Sequence, residues 1–157
     1  MKIKTTFLKI ALGGMTLFIL FLGLLVTMGA LSSYFNHDLF LEQIIAYIAL
    51  YIAAFLALAV IVFIYRMLRL IDKNKPFTTE ALQIVSGVKK LIIGLFVALL
   101  GILPMFYYIA DNGDAPGVMI IGLGIVSLPL AIAIFVATIE KLLMRVIQIK
   151  QENDLTV

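Results

Sequence analysis

The chain has 157 residues, of which 64% are hydrophobic and 13% are charged, with a formal net charge of +3. Soluble domains carry about 25% charged residues, so this composition excludes a water-soluble fold. The chain has no cysteine and a single histidine, His37, which excludes disulfides, thiol catalysis and metal sites built from cysteine or from several histidines. We therefore expect one integral membrane domain that covers residues 1–157.

Four long runs without a charged residue predict four transmembrane helices. The first run, 10–31, contains 22 residues, and as a helix it would measure about 33 Å, enough to cross a hydrocarbon core of about 30 Å. It is too long for a signal peptide and lacks a convincing cleavage site, so we interpret it as an uncleaved span. The other runs are 44–65, 91–110 and 118–139. Backbone groups in lipid must be satisfied within their own segment, which makes the spans α-helices.

The distribution of charge predicts two hairpins with both termini in the cytoplasm. All twelve Lys and Arg residues fall in the N-terminal segment, the loop 66–90 and the tail 140–157, whereas the other two loops contain Asp and Glu but no Lys or Arg. Because Lys and Arg concentrate in cytoplasmic loops, we expect a multi-pass protein of the cytoplasmic membrane. The same asymmetry accounts for the net positive charge, and we expect no direct binding of nucleic acid.

The loop 66–90 predicts an amphipathic helix that either lies at the membrane interface or runs directly into the third span. Pro76 ends any continuation of the second helix, Thr78 or Thr79 is a suitable N-cap, and Glu80 complements the helix dipole. The six cations of this loop make it either a structural collar with solvated charges or a docking surface for a cytosolic protein or anionic lipid. Polar and apolar positions alternate at helical spacing: Thr79, Gln83, Ser86 and Lys90 against Leu82, Val85, Val88 and Ile92.

The tail 140–157 repeats this helical pattern and predicts that the fourth helix extends into the cytosol. One face carries Lys141, Arg145, Gln148 and Glu152, and another carries Leu142, Val146 and Ile149. We expect the helix to end at residues 151–154, with Asn153 as its C-cap. The candidate contact residues for a partner or for lipid are the cations of the two inner segments: Arg66, Arg69, Lys73, Lys75, Lys89, Lys90, Lys141, Arg145 and Lys150.

Small residues recur at helical spacing and predict close helix packing. Such residues allow backbones to approach in lipid, either within a four-helix bundle or between copies in a homo-oligomer. Pro104 and Pro129 fall inside the third and fourth spans, where we expect packing kinks. The small residues are Ala49, Ala53 and Ala57 in the second span, Gly94, Ala98 and Gly101 in the third, and Ala133 and Ala137 in the fourth.

The acidic loop between the third and fourth spans predicts a tight hairpin turn. Its Asn-Gly pair favours a turn, and its proline suits the first turn of the next helix. A calcium site is the alternative, but the ligand spacing of calcium loops is missing. Tyr47 and Tyr51, one turn apart near the outer boundary, are interpreted as interface anchors rather than a ligand cage. The candidate turn consists of Asp111, Asn112, Gly113, Asp114 and Pro116.

The spans contain no ionisable residue of the kind that pumps, ion-coupled transporters and voltage sensors use. No phosphate-binding loop, nucleophile–base pair or HExxH motif is present either. We therefore expect a protein that is not an enzyme and that needs neither a cofactor nor a metal.

Three segments resemble the YoaS-like family of uncharacterised bacterial membrane proteins with four helices, a domain of unknown function. These segments are KPFTTE after the second span, DNGDAPG between the third and fourth, and IKQENDLTV at the end. The resemblance covers nearly the whole chain. Members are frequently encoded beside a small Cro/CI-type helix-turn-helix regulator, so the resemblance implies a bacterial membrane protein that holds or signals to such a regulator.

These observations lead to one main hypothesis and two alternatives. The main hypothesis is a regulatory or signalling membrane protein that contacts a cytosolic partner through its basic loop and tail. The alternatives are a small oligomeric transporter or channel subunit, and an immunity or stress protein that acts against a membrane-active agent.

Overall fold

The structure is a computed structural model, and it describes residues 2–155, with the side chains of residues 5–155. It consists of α-helices: α1 (Lys2–Phe35), α2 (Leu41–Asp72), α3 (Thr79–Leu99), a 3₁₀ turn (Leu100–Ile102), α4 (Leu103–Asn112) and α5 (Pro116–Leu155). Four helical stretches are long and apolar enough to cross a membrane, with α3, the 3₁₀ turn and α4 forming the third. The predicted all-α membrane fold with four spanning helices is confirmed.

Each connection between spanning helices contains one non-glycine residue with a positive φ angle. These residues are His37 between α1 and α2, Asn74 between α2 and α3, and Asp114 between α4 and α5, with φ angles of 56°, 55° and 47°. Asn, Asp and His are the non-glycine types most often found in this left-handed region. The three short connections therefore reverse the chain without a left-handed glycine.

The helices form an open arrangement in which α1 and α5 lie at opposite edges. α1 packs mainly against α2, while α5 packs against α3 and α4. Of the α1 side chains that the structure describes, only Thr5 and Leu12 are buried. Most of the apolar surface of α1 is consequently left for the hydrocarbon of a bilayer.

Small residues make the closest contacts between the helices. Ala49 of α2 is buried with Ile102 and Val126, and a Cβ atom added to Gly101 would lie only 2.7 Å from the Cβ of Ala49. Ala133 of α5 is likewise buried against α3. Several of the predicted small-residue positions therefore pack helices within one chain, as close approach in lipid requires.

The third span is interrupted where the sequence predicts a kinked but continuous helix. The 3₁₀ turn ends at Ile102, and Pro104 lies in the first turn of α4, where a proline needs no intrahelical donor. Pro129, in contrast, lies inside α5 and is buried. The two prolines thus have different roles, one at the start of a helix and one within it.

The C-terminal helix is longer than the sequence predicts. α5 continues through residues 151–154 to Leu155, so Asn153 is helical and is not a C-cap. One side of the tail, which carries Leu143 and Ile147, packs inward. It contacts Leu70 of α2 and Ala81 and Ile84 of α3. The other apolar face stays exposed, at 57% for Leu142 and 60% for Ile149.

Candidate functional site

The basic residues at the end of α2 line a cleft between α2 and α3. Arg66 and Arg69 lie in the last two turns of α2 and Lys73 is its C-cap, and the spacing of three and four residues places all three on one side of the helix end. The cleft has a volume of about 300 Å³ and is lined by these three side chains together with Leu70, Lys75 and Glu80. Of the nine predicted contact residues, four therefore come together in one concave surface, which we call the basic cleft.

Backbone hydrogen bonds form a turn after α2 that places Lys75 beside the other three cations. The amide of Asn74 donates to the carbonyl of Ile71 at 3.0 Å, and the amide of Lys75 donates to that of Leu70 at 3.0 Å. The hydroxyl of Thr78 then donates to the carbonyl of Lys75 at 3.2 Å and accepts the amide of Ala81 at 3.3 Å. Thr78 is therefore the N-cap of α3, as one of the two predicted alternatives has it.

The four cations of the basic cleft carry an unbalanced positive charge. Within residues 5–155, none of them forms an ion pair with a carboxylate, and all are exposed. Glu80 is the one carboxylate in the lining. The guanidinium of Arg66 also lies over the ring of Phe63, 5.7 Å from its centroid.

Lys89, a fifth candidate residue, is engaged within the fold. Its ammonium group donates to the carboxylate of Glu140 at 2.5 Å, and this ion pair joins α3 to α5. The two side chains are only 27% and 14% exposed. The hydroxyl of Ser86 also lies within reach of the same carboxylate. Lys89 therefore has an internal structural contact, unlike the cations of the basic cleft.

A second ion pair joins the beginning of α1 to the end of α2. The ammonium of Lys9 contacts the carboxylate of Asp72 and lies 5.8 Å from the centroid of the Tyr65 ring. Both ion pairs lie near the same end of the helices as the basic cleft. The remaining candidate cations, Lys90 on α3 and Lys141, Arg145 and Lys150 on α5, are exposed.

The predicted outer turn connects α4 and α5. Gly113 caps α4, and its amide donates to the carbonyl of Ile109 at 3.0 Å. The side-chain amide of Asn112 donates to the carbonyl of Tyr108 at 2.9 Å. Asp114 takes the left-handed conformation, and Pro116 begins α5. Asp111 is exposed in the last turn of α4.

A network of neutral hydrogen bonds between α1 and α2 was not predicted. The side-chain amide of Gln43 donates to the hydroxyls of Ser33 and Tyr47, at 2.9 and 3.2 Å. The hydroxyls of Tyr51 and Thr27 lie 2.7 Å apart. Tyr51 thus bonds to α1, and the Tyr47 hydroxyl lies 3.5 Å from that of Ser33 on α1, while the interpretation of both residues as interface anchors stays a prediction. Polar side chains near the ends of adjacent spans are the signal that sequence reasoning passed over.

The arrangement of the basic cleft favours recognition of an anion. In the described part of the chain, no group of three or more His, Asp or Glu residues lies close enough together to hold a metal ion. Arginine and lysine around a concave surface can bind phosphate or carboxylate through charge-assisted hydrogen bonds. The chemistry that the basic cleft offers is therefore electrostatic recognition of an anion.

Comparison with known proteins places the chain in a family. The model of the family described as "Protein of unknown function (DUF2975)" matches residues 6–157. The chain is 32% identical to the "Uncharacterized membrane protein YoaS" of Bacillus subtilis (strain 168) over 158 residues, which covers 99% of each chain. No solved structure matches it. The chain therefore belongs to the DUF2975 family, as its resemblance to YoaS-like proteins implies.

Proposed function

We propose that this membrane protein is a non-enzymatic regulatory or signalling protein of the cytoplasmic membrane, with both termini in the cytoplasm. It contacts a cytosolic partner through the loop 66–90 and the tail 140–157. A small helix-turn-helix regulator is the partner that the family resemblance implies. Homo-oligomers are compatible with this role, because the contact surface lies at the end of the helices and not along their sides.

The observation that carries this proposal is that the tail packs against the loop 66–90 beside the basic cleft. Leu143 of the tail packs against Leu70, which lines the cleft, and against Ala81. The four cations of the cleft lack carboxylate partners within residues 5–155, and the tail also exposes the apolar residues Leu142 and Ile149. A surface that combines exposed cations with apolar residues suits a protein with an acidic, partly apolar face.

The orientation is testable because the chain contains no cysteine. Single-cysteine variants Lys73→Cys and Gly113→Cys place one thiol at each end of the helices. With a membrane-impermeant maleimide on intact cells, we expect labelling of Gly113→Cys and protection of Lys73→Cys until the cells are opened. The opposite labelling pattern would reverse the orientation and remove the cytosolic partner.

The partner is testable by photo-crosslinking in native membranes followed by mass spectrometry. Photo-reactive amino acids at Lys73 and at Ile149 should capture the same protein, whereas the matched exposed position Tyr107 at the other end should not. Charge reversal of Arg66, Arg69, Lys141 and Arg145 should abolish the capture. If every co-purifying protein were unchanged by this reversal, the proposal would fail.

A small oligomeric transporter or channel subunit is the second candidate. Two observations favour it: the third span is interrupted at Leu100–Ile102, and a cleft of about 200 Å³ lies between α1 and α2, with Leu95 of the third span in its lining. The cleft lining is almost wholly apolar, with Gly23, Ala53 and Ala57 among its residues. Such a path suits hydrophobic compounds, and flux of such a compound across reconstituted vesicles would test it.

A further inference from the structure

The cations of the basic cleft are placed around one concave volume and do not merely create a diffuse positive potential. Arg66, Arg69 and Lys73 approach from α2, while Lys75 approaches from the loop that leads to α3. Cations that approach from two directions around a concave volume of about 300 Å³ can surround one anion. A row of lysines along a single helix face cannot surround an anion in this way.

Hydrogen bonds within the chain fix the backbone that carries these side chains, so the cleft is formed before a ligand binds. Lys75 is fixed by the hydrogen bond from its amide to Leu70 and by the hydrogen bond that its carbonyl accepts from Thr78. Asn74 holds the turn in the left-handed conformation. A fixed loop avoids much of the ordering cost that binding otherwise carries.

The charge balance of the basic cleft favours an anion with more than one negative oxygen. Four cations and the single carboxylate of Glu80 leave a net charge of three positive units in the lining. Two of the cations are guanidinium groups, whose forked N–H donors match the paired oxygens of phosphate. Mutual repulsion among the four cations is relieved when a phosphate occupies the cleft.

The position of the basic cleft along α2 places it at the level of lipid headgroups. Arg66 directly follows Tyr65, the last residue of the uncharged run 44–65. The hydrocarbon core ends where such a run ends, and phosphates of membrane lipids lie at this depth. A soluble phosphate compound has the same charge chemistry and reaches the cleft from water.

We propose that the basic cleft is a binding site for a phosphate-bearing anion, with Arg66 and Arg69 as its main ligands and Lys73 and Lys75 as supporting cations. An anionic phospholipid headgroup is the source that the depth of the cleft favours. This site requires neither a cytosolic protein nor a particular orientation of the chain. Evidence against the function proposed above would therefore not contradict this site, and evidence against this site would not contradict that function.

The test uses the purified full-length protein and two probes. Native mass spectrometry with phosphatidylglycerol, against zwitterionic phosphatidylcholine, measures lipid binding, and inorganic phosphate is assayed by its effect on thermal unfolding. Wild-type protein should prefer phosphatidylglycerol. Each near-surface cation contributes roughly a factor of five in affinity, so the double variant Arg66→Gln/Arg69→Gln should bind roughly thirtyfold more weakly.

Two single variants make the test specific for the basic cleft. Asn36→Asp lowers the net charge by one unit at the opposite end of the helices, far from the cleft, and should leave binding unchanged. Glu80→Gln removes the opposing charge from the lining and should strengthen binding roughly fivefold. All the substituted residues are exposed, and circular dichroism without ligand verifies that the variants remain folded.

The outcomes distinguish the source of the phosphate. Loss of phosphatidylglycerol binding in the double variant assigns the site to lipid. Stabilisation by inorganic phosphate in wild-type protein alone, without a preference for phosphatidylglycerol, supports the site with a soluble ligand. Equal binding of both probes by wild-type and double variant would overturn the proposal, and so would an equal loss in Asn36→Asp.

Discussion

Different kinds of contact join neighbouring helices at the two ends of the molecule. At the end that carries the basic cleft, two ion pairs join neighbouring helices, Lys9 with Asp72 and Lys89 with Glu140. At the opposite end, which contains the two acidic loops, neutral groups connect the helices. Gln43 donates to Ser33 and Tyr47, and the ring of Phe40 lies 4.4 Å from that of Tyr108, centroid to centroid.

This difference follows from the segregation of charge along the chain. The acidic loops have no Lys or Arg near them in sequence, so neutral hydrogen bonds and aromatic contacts connect the helices there. Among residues 5–155, Asp72 forms an ion pair with Lys9 and Glu140 with Lys89. The cations of the basic cleft are among those without such a carboxylate partner, and this surplus of positive charge is what makes that end a candidate binding surface.

The largest expected effect comes from breaking the ion pair between α3 and α5. Glu140→Gln leaves the ammonium of Lys89 largely buried without its carboxylate, which should lower the free energy of unfolding by about 2 kcal/mol. The full cost of a deeply buried pair is not expected, because both side chains keep some solvent contact. Unfolding in mixed detergent–SDS micelles, followed by circular dichroism, measures the change.

The matched control for this pair is Lys90→Met, which removes the neighbouring but exposed cation. It should change the free energy of unfolding by less than about 0.5 kcal/mol. The double variant Lys89→Met/Glu140→Gln should recover most of the loss, because no unpaired charge remains. Equal losses in Glu140→Gln and Lys90→Met would show that the ion pair does not fasten this end.

The contrast between the ends also explains how far the sequence predicts the fold. Uncharged runs predict the four helices, and helical spacing at the start of α3 predicts its inward face, where Val85, Val88 and Ile92 are buried. Thr78 and Pro116 are predicted as helix boundaries because capping is local chemistry. Each of these features depends on residues within a few positions of one another.

The features that sequence reasoning missed depend on residues far apart in the chain. Lys89 and Glu140 are 51 positions apart, and Lys9 and Asp72 are 63 apart. Their pairing decides which cations remain for the candidate site. In the tail, apolar residues lie on more than one face, so periodicity cannot say that Leu143 packs inward while Leu142 stays exposed.

The second prediction compares glycine-to-alanine variants at positions where different atoms lie closest to the added Cβ. Gly101→Ala should lower the free energy of unfolding by about 2 kcal/mol, because the new Cβ would lie 2.7 Å from the Cβ of Ala49, with the α2 backbone directly behind. At the basic end, Gly87→Ala should also lower stability, because its new Cβ would lie 2.4 Å from the ring of Phe63, which packs against buried residues of α3 and α5.

Gly124→Ala is the control for both glycine variants, since nothing lies within 4 Å of its added Cβ. There the substitution should raise stability by up to about 1 kcal/mol through helix propensity alone. The same unfolding measurement ranks the three variants. A Gly101→Ala protein as stable as Gly124→Ala would mean that α2 does not approach the third span as closely as the structure shows.

The third prediction addresses the neutral network at the acidic end. Tyr47→Phe removes the hydroxyl that accepts the Gln43 amide within α2 and that lies 3.5 Å from the Ser33 hydroxyl of α1, at a cost of about 1 kcal/mol. Tyr107→Phe is the control, since that tyrosine is exposed and none of the described residues hydrogen-bonds to its hydroxyl. If the two variants unfold alike, the network does not contribute to joining α1 and α2.

The smallest effect concerns the connections, where the two ends differ in the residue that turns left-handed. His37→Gly should raise the free energy of unfolding by about 0.5 kcal/mol and Asn74→Gly by less, because asparagine tolerates positive φ better than histidine. The glycine also gains freedom in the unfolded chain, which limits both effects. Asn36→Gly, at an adjacent position without positive φ, should instead lower stability. If His37→Gly and Asn36→Gly changed stability in the same direction, the turn at the acidic end would not depend on the backbone angle of His37.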